Sequence, residues 1–203
     1  MTNTRTFALA TILGLAALAG CKSAAVKDEK PVSKQASVEQ VGATVVKYAG
    51  PDIELALSYR FANINMGMEW LILDAAVTGT DRVSVELKRE KISLRTPDGD
   101  IVPLPRQEEL GDAFASIRAA NLRADVASEP LRYWGGRREC TLNFLVEPGS
   151  NLAMQSIWVN DERWCTGRLY FPLMKNVQPG RYELRIDLPE SKVRVPFVLG
   201  ASR

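Results

Sequence analysis

The chain has 203 residues, of which 26 are Lys or Arg, 24 are Asp or Glu and none is His, for a formal net charge of +2. Near-neutrality excludes the basic footprint of nucleic-acid binding and supplies no polybasic membrane patch. Without imidazole there is no Ser-His-Asp or Cys-His nucleophile and no His-based zinc site, and G-x-S-x-G, a glycine-rich phosphate loop and C-x-x-C are missing as well.

Residues 1–20 read as a secretory leader. Arg5 is the only charge ahead of a run from Phe7 to Ala19 that is almost wholly apolar or small. That run is too short for a bilayer core, which takes roughly 20 helical residues, and it lacks the polar face of a core helix. It closes on Leu18-Ala19-Gly20-Cys21. The segment resembles a bacterial lipoprotein signal, whose lipobox those four residues match position by position. The resemblance implies cleavage after Gly20, a diacylglyceryl group on the Cys21 thiol and often acylation of the new amine. Each buried CH₂ of such a chain contributes about 0.8 kcal/mol, so two or three chains hold a protein on the membrane. Lys22, a residue other than Asp after the cysteine, implies sorting to the outer membrane, facing the periplasm, in a source with two membranes.

From Cys21 to Gly42 the chain is polar and without aromatics or apolar periodicity, which predicts a flexible tether over 21–42. A mainly β domain is expected over 43–203. Ile53, Leu55, Leu57, Tyr59 and Phe61 alternate with polar residues as one strand, and Trp70 to Val77 is apolar on both faces, like a central strand. Val83, Val85 and Leu87 alternate too, but the phase slips at Arg89-Glu90, which predicts a bulge or a bend between two strands. Thr96-Pro97-Asp98-Gly99-Asp100 is a turn, followed by a short strand at Ile101 to Leu104.

One inserted helix is expected at about 106–126, with Leu110, Ala113, Phe114, Ile117 and Ala120 on one face. Strands resume at Cys140 to Val146, Arg168 to Phe171, Tyr182 to Ile186 and Val193 to Leu199, the last joined by a turn around Pro189-Glu190-Ser191. The stretch Gln178 to Ile186, a Pro-Gly turn leading into Tyr-x-Leu-x-Ile, resembles the penultimate strand of immunoglobulin-like sandwiches. That resemblance implies an immunoglobulin-like β-sandwich with one inserted helix; a lipocalin-like barrel is the second architecture.

Two cysteines remain beyond the leader, Cys140 and Cys165. In an oxidising envelope such a pair is expected to be bridged, closing a loop worth about 3 kcal/mol in the chain-entropy model; two buried thiols are the alternative.

Arg132-Tyr133-Trp134-Gly135-Gly136-Arg137-Arg138 is the candidate contact segment. Aromatic faces stack on sugars, and Arg grips carboxylates or phosphates. In this reading Arg132, Tyr133, Trp134, Arg137 and Arg138 meet an envelope protein or a cell-wall glycan; the alternative tucks Trp134 into the core and leaves the arginines solvated. Trp158 and Trp164 flank a turn at Asn160-Asp161, and both are expected to fill core. Asp98 with Asp100, and Asp161 with Glu162, read as solvated turns rather than Ca²⁺ sites. The expectation is a membrane-anchored, non-catalytic envelope module with no cofactor and no metal. The competing classes are a carboxylate-dependent cell-wall glycan hydrolase and a lipid or small-ligand carrier.

Overall fold

The computed structural model describes residues 35–127, 131, 138–150 and 152–200. They form a mainly β fold. Six strands make one sheet: β1 (Ser37–Gln40), β2 (Val45–Ala49), β3 (Ile53–Ser58), β4 (Trp70–Gly79), β10 (Arg163–Pro172) and β8 (Arg138–Thr141), in the order β1-β2-β3-β4-β10-β8. A second sheet runs β12-β11-β6-β7, from β12 (Lys192–Leu199), β11 (Gly180–Asp187), β6 (Ile92–Arg95) and β7 (Ile101–Pro103). A two-stranded ribbon pairs β5 (Val85–Lys88) with β9 (Ser156–Val159). Every pairing is antiparallel except that of β8 with β10.

Alternation decides what each sheet buries. Leu55, Leu57, Leu73, Val77, Leu169 and Phe171 share one core with Leu94, Leu184, Ile186, Val193, Val195 and Phe197 of the second sheet. Tyr59 stacks on Phe197 with centroids 5.1 Å apart, and Tyr182 on the same ring at 5.6 Å, so aromatic packing joins the chain just after β3 to the second sheet. The opposite face of the six-stranded sheet is covered by α2 (Gln107–Ala127) and by Leu131, which clusters with Val45, Ala56, Ala76 and Trp164. The central strand β4 is therefore buried on both faces, as its apolar run predicts.

The phase slip at Arg89-Glu90 is a 3-10 turn over Arg89–Lys91, and it bends the chain out of the β5–β9 ribbon into the second sheet. The turn at Thr96–Asp100 joins β6 to β7, with Gly99 at φ 94°, a left-handed conformation that favours glycine. The turn before β12 forms as well, with Leu188 N–H donating to Ser191 O at 2.9 Å. Ser191 Oγ also donates to Asp52 Oδ2, tying this turn to the β2–β3 turn of the other sheet.

Four expectations need correction. Tyr59 and Phe61 do not extend β3: the chain turns at Tyr59 into a short helix, α1 (Arg60–Ile64), which buries Phe61 and Ala62. Period-two spacing over two residues cannot distinguish a strand end from one apolar helical turn. The strand expected over Cys140 to Val146 stops at Thr141. Beyond it the Val146 N–H and C=O pair with the Gln107 side-chain amide, at 3.0 and 2.8 Å, instead of with a strand. Residues 37–40, inside the expected tether, pair with β2 as an all-exposed edge strand. Gln40 Nε2 secures it by donating to Val45 O at 2.9 Å. β2 is an addition to the predicted elements: its Val46-Lys47-Tyr48 alternation spans only three residues.

Candidate binding surface

Two features set α2 and the chain after it on the sheet. The first is a polar cluster around Arg168. Asp74 and Arg168 occupy directly facing positions on β4 and β10, and Arg168 Nε donates to Asp74 Oδ1 at 3.0 Å. Its Nη1 donates to Asn121 Oδ1 at 2.7 Å and pairs with Asp125 Oδ1 at 2.8 Å, both on α2. Tyr170 Oη donates to the same Asn121 oxygen at 2.7 Å, and Asn121 Nδ2 donates to Glu147 Oε1 at 2.7 Å. Asn121 is buried, and these side-chain bonds join α2 to other segments.

The electrostatics follow from burial. Desolvation pushes the Asp74 carboxyl up, although the Arg168 charge pulls it down. Arg168 is held above its usual value: burial works against its charge, and the Asp74 carboxylate outweighs it. Burial also pushes the Tyr170 phenol to about 12, so at neutral pH it remains a donor. A largely buried arginine whose donors are met by two carboxylates and an amide is a structural hub. The sequence signal for it was Asp74 itself, a lone carboxylate in an otherwise apolar central strand.

The second feature is a pair of anchors on either side of the Arg- and Trp-rich segment. Trp164 Nε1 donates to Leu131 O at 3.3 Å, both residues buried, which pins the chain just before the segment. Just after it, β8 lies parallel to β10 with Cys140 facing Cys165, and the two cysteines form a disulfide. The bridge joins neighbouring strands of one sheet. Arg138 N–H donates to Glu162 O at 2.9 Å, Leu142 N–H donates to Thr166 O at 2.8 Å, and Leu142 is buried. Gly167 makes that approach possible, since a Cβ there would lie 2.7 Å from Leu142 Cβ.

Among the expected contact residues, Arg138 opens β8, exposed. Arg132, Tyr133, Trp134 and Arg137 lie outside the described residues, as does Cys21. Of the two tryptophans assigned to the core, Trp164 is buried, but Trp158 is 52 % exposed. Trp158 faces Glu86 across the β5–β9 ribbon, on the side away from buried Val159. The Asn160-Asp161 turn forms, closed by Arg163 N–H donating to Asn160 O at 3.1 Å.

Two of the surface clefts are lined by polar side chains of interest. One, of about 310 Å³, is lined by Asp98, Asp100, Lys175, Asn176 and Tyr182 among others, and Lys175 Nζ pairs with Asp98 Oδ2 at 2.9 Å across it. The other, of about 420 Å³, lies over Tyr59 and Phe197, with Gln40, Asn63 and Arg181 on its walls. Among the described residues no three His, Cys, Asp or Glu side chains are grouped to hold a metal ion, and no helix is long and apolar enough to cross a membrane.

No protein-family model, curated protein or solved structure matches this chain.

Proposed function

We propose that the protein is a lipid-anchored module of the cell envelope that binds another envelope component without catalysis. The observation that carries this reading is the double anchoring of the segment between α2 and β8. Trp164 holds Leu131 on one side, and the Cys140–Cys165 bridge holds Arg138 in register on the other. Binding loops are effective when a rigid scaffold fixes their stems. Between these stems lie the aromatic and cationic residues that grip sugars, carboxylates and phosphates. The fold within this reading is an immunoglobulin-like sandwich. Its support is Tyr182 at the start of β11, whose hydroxyl donates to Gln178 O at 3.0 Å and accepts from Gln178 N–H at 3.1 Å, the corner such sandwiches use.

Lipidation rests on the Leu18-Ala19-Gly20-Cys21 match. Labelled palmitate should enter the wild type and not Cys21→Ser, and the variant should leave the membrane fraction; unchanged fractionation would end the proposal of an anchor. For binding, crosslinking in intact cells should lose its partner when Trp134 and Arg137 are both replaced by Ala. Undiminished crosslinks would retire the segment. The hydrolase reading would use Asp98 and Asp100 in the smaller cleft, where one carboxylate is already held by Lys175. Asp98→Asn and Asp100→Asn should therefore leave cell-wall digestion assays at the same blank level as the wild type.

A further inference from the structure

The register of β8 on β10 places Arg138 directly beside Arg163, two residues before the bridged pair and on the same face. Both side chains are exposed. Neighbouring strands lie about 4.8 Å apart, so two guanidinium groups leave the sheet side by side from a backbone that the disulfide keeps in register. Like charges directly opposite on a sheet are destabilising. Glu139 alternates to the other face, with Trp164 opposite it. Among the described residues, no carboxylate forms an ion pair with either guanidinium.

We infer that Arg138 and Arg163 form a two-pronged oxyanion site whose ligand is a phosphomonoester group. Two forks can each direct parallel N–H groups at one tetrahedral oxyanion. Their joint charge matches a phosphomonoester, which carries about −1.5 to −2 at neutral pH, better than it matches a single carboxylate. The site deepens the binding reading, because it names the chemistry met where the anchored segment enters the sheet.

The test uses the full chain in an uncharged detergent, titrated with inorganic phosphate at constant ionic strength and followed by melting temperature. A ligand that binds only the folded state raises Tm with concentration. Phosphate should raise Tm where chloride and acetate do not, and affinity should fall about tenfold or more in Arg138→Gln and in Arg163→Gln, a loss of about 1.4 kcal/mol per tenfold. Without phosphate, each Gln variant should melt at or above the wild-type temperature, since it removes a like-charge contact; this shows that the variants are folded. Arg163→Lys, which keeps the charge and loses the fork, should bind at an intermediate level. Equal responses to phosphate and chloride, or an undiminished phosphate shift in both Gln variants, would overturn the site. Vesicles bearing phosphatidic acid against vesicles of phosphatidylcholine alone then distinguish a lipid headgroup from free phosphate, and either source upholds the site. Crosslinks that persist in Arg138→Gln while its phosphate shift is lost would also uphold the oxyanion site, and would separate it from the partner-binding surface.

Discussion

Arg168 and Asp74 face each other across β10 and β4, and the guanidinium that bonds the carboxylate at 3.0 Å also reaches α2 through Asn121 and Asp125. One side chain thus fastens the helix to the sheet. Side-chain exposure of 16 % for both Arg168 and Asp74 means that water replaces lost partners only in part.

Arg168→Met should destabilise the fold by about 3–5 kcal/mol, because Asp74 would be left largely buried without the guanidinium, while Asn121 Oδ1 would keep only the Tyr170 hydroxyl. Asp74→Asn keeps an acceptor for Arg168 and should cost markedly less. Urea unfolding of both variants checks this. Equal costs would show that the guanidinium is not the hub.

Replacing Cys140 and Cys165 by Ser should remove about 3 kcal/mol, the chain-entropy value for a loop of this size. Denatured without reductant, the wild type should show no thiol from either position, and after reduction it should show both. Both thiols titrating before reduction would mean that the bridge does not form in the protein as purified.

Gly167→Ala is expected to destabilise by about 1–3 kcal/mol through overpacking, since the new Cβ would sit 2.7 Å from Leu142 Cβ and 2.8 Å from its carbonyl oxygen. Hydrogen exchange at Leu142 N–H, which bonds Thr166 O, should accelerate in the variant. Unchanged protection would place the strain elsewhere.

Acid titration should separate two aspartates by sign. Arg194 Nη2 bonds Asp187 Oδ1 at 2.6 Å and holds that carboxyl below its usual range. A depressed folded pKa gives stability that is present above the unfolded value of about 3.9 and lost as pH falls through the folded one. Asp187→Asn should therefore melt slightly below the wild type at pH 7 and converge with it in acid. The gap should shrink with salt, because Asp187 is 54 % exposed. Asp74 runs the other way: burial raises its pKa, so its contribution is complete below the unfolded value and is lost as pH rises. The wild type should lose ground to Asp74→Asn between acid and neutral pH. Differential melting curves over that range check both, and parallel curves would contradict the assignment.

The elements that could be read directly are those whose pattern has a local cause. Trp70 to Val77 announces a doubly buried strand, Thr96 to Asp100 announces its turn, and the spacing of Leu110, Ile117 and Ala120 announces α2. Tyr59 and Phe61 continue the β3 alternation in sequence, yet they leave the strand because α1 packs against β4 and α2. Trp158 and Trp164 show the same limit. Two tryptophans six residues apart look alike in sequence, yet one lies under Leu131 and the other on the outer side of a ribbon. The Arg168 cluster draws on β4, β10, α2 and the chain at Glu147, so no window of sequence contains it.

What the amino-acid order alone determined is local: the Leu18-Ala19-Gly20-Cys21 motif, the β periodicity, the long helix α2 and the presence of two cysteines beyond Cys21. Only the tertiary structure decided that those cysteines bridge adjacent parallel strands, that Arg138 stands beside Arg163, and that Asp74 meets Arg168. The physical reason is that periodicity reports which face of an element is buried. Register across strands from distant parts of the chain is set by how the sheets and the helix close on one another.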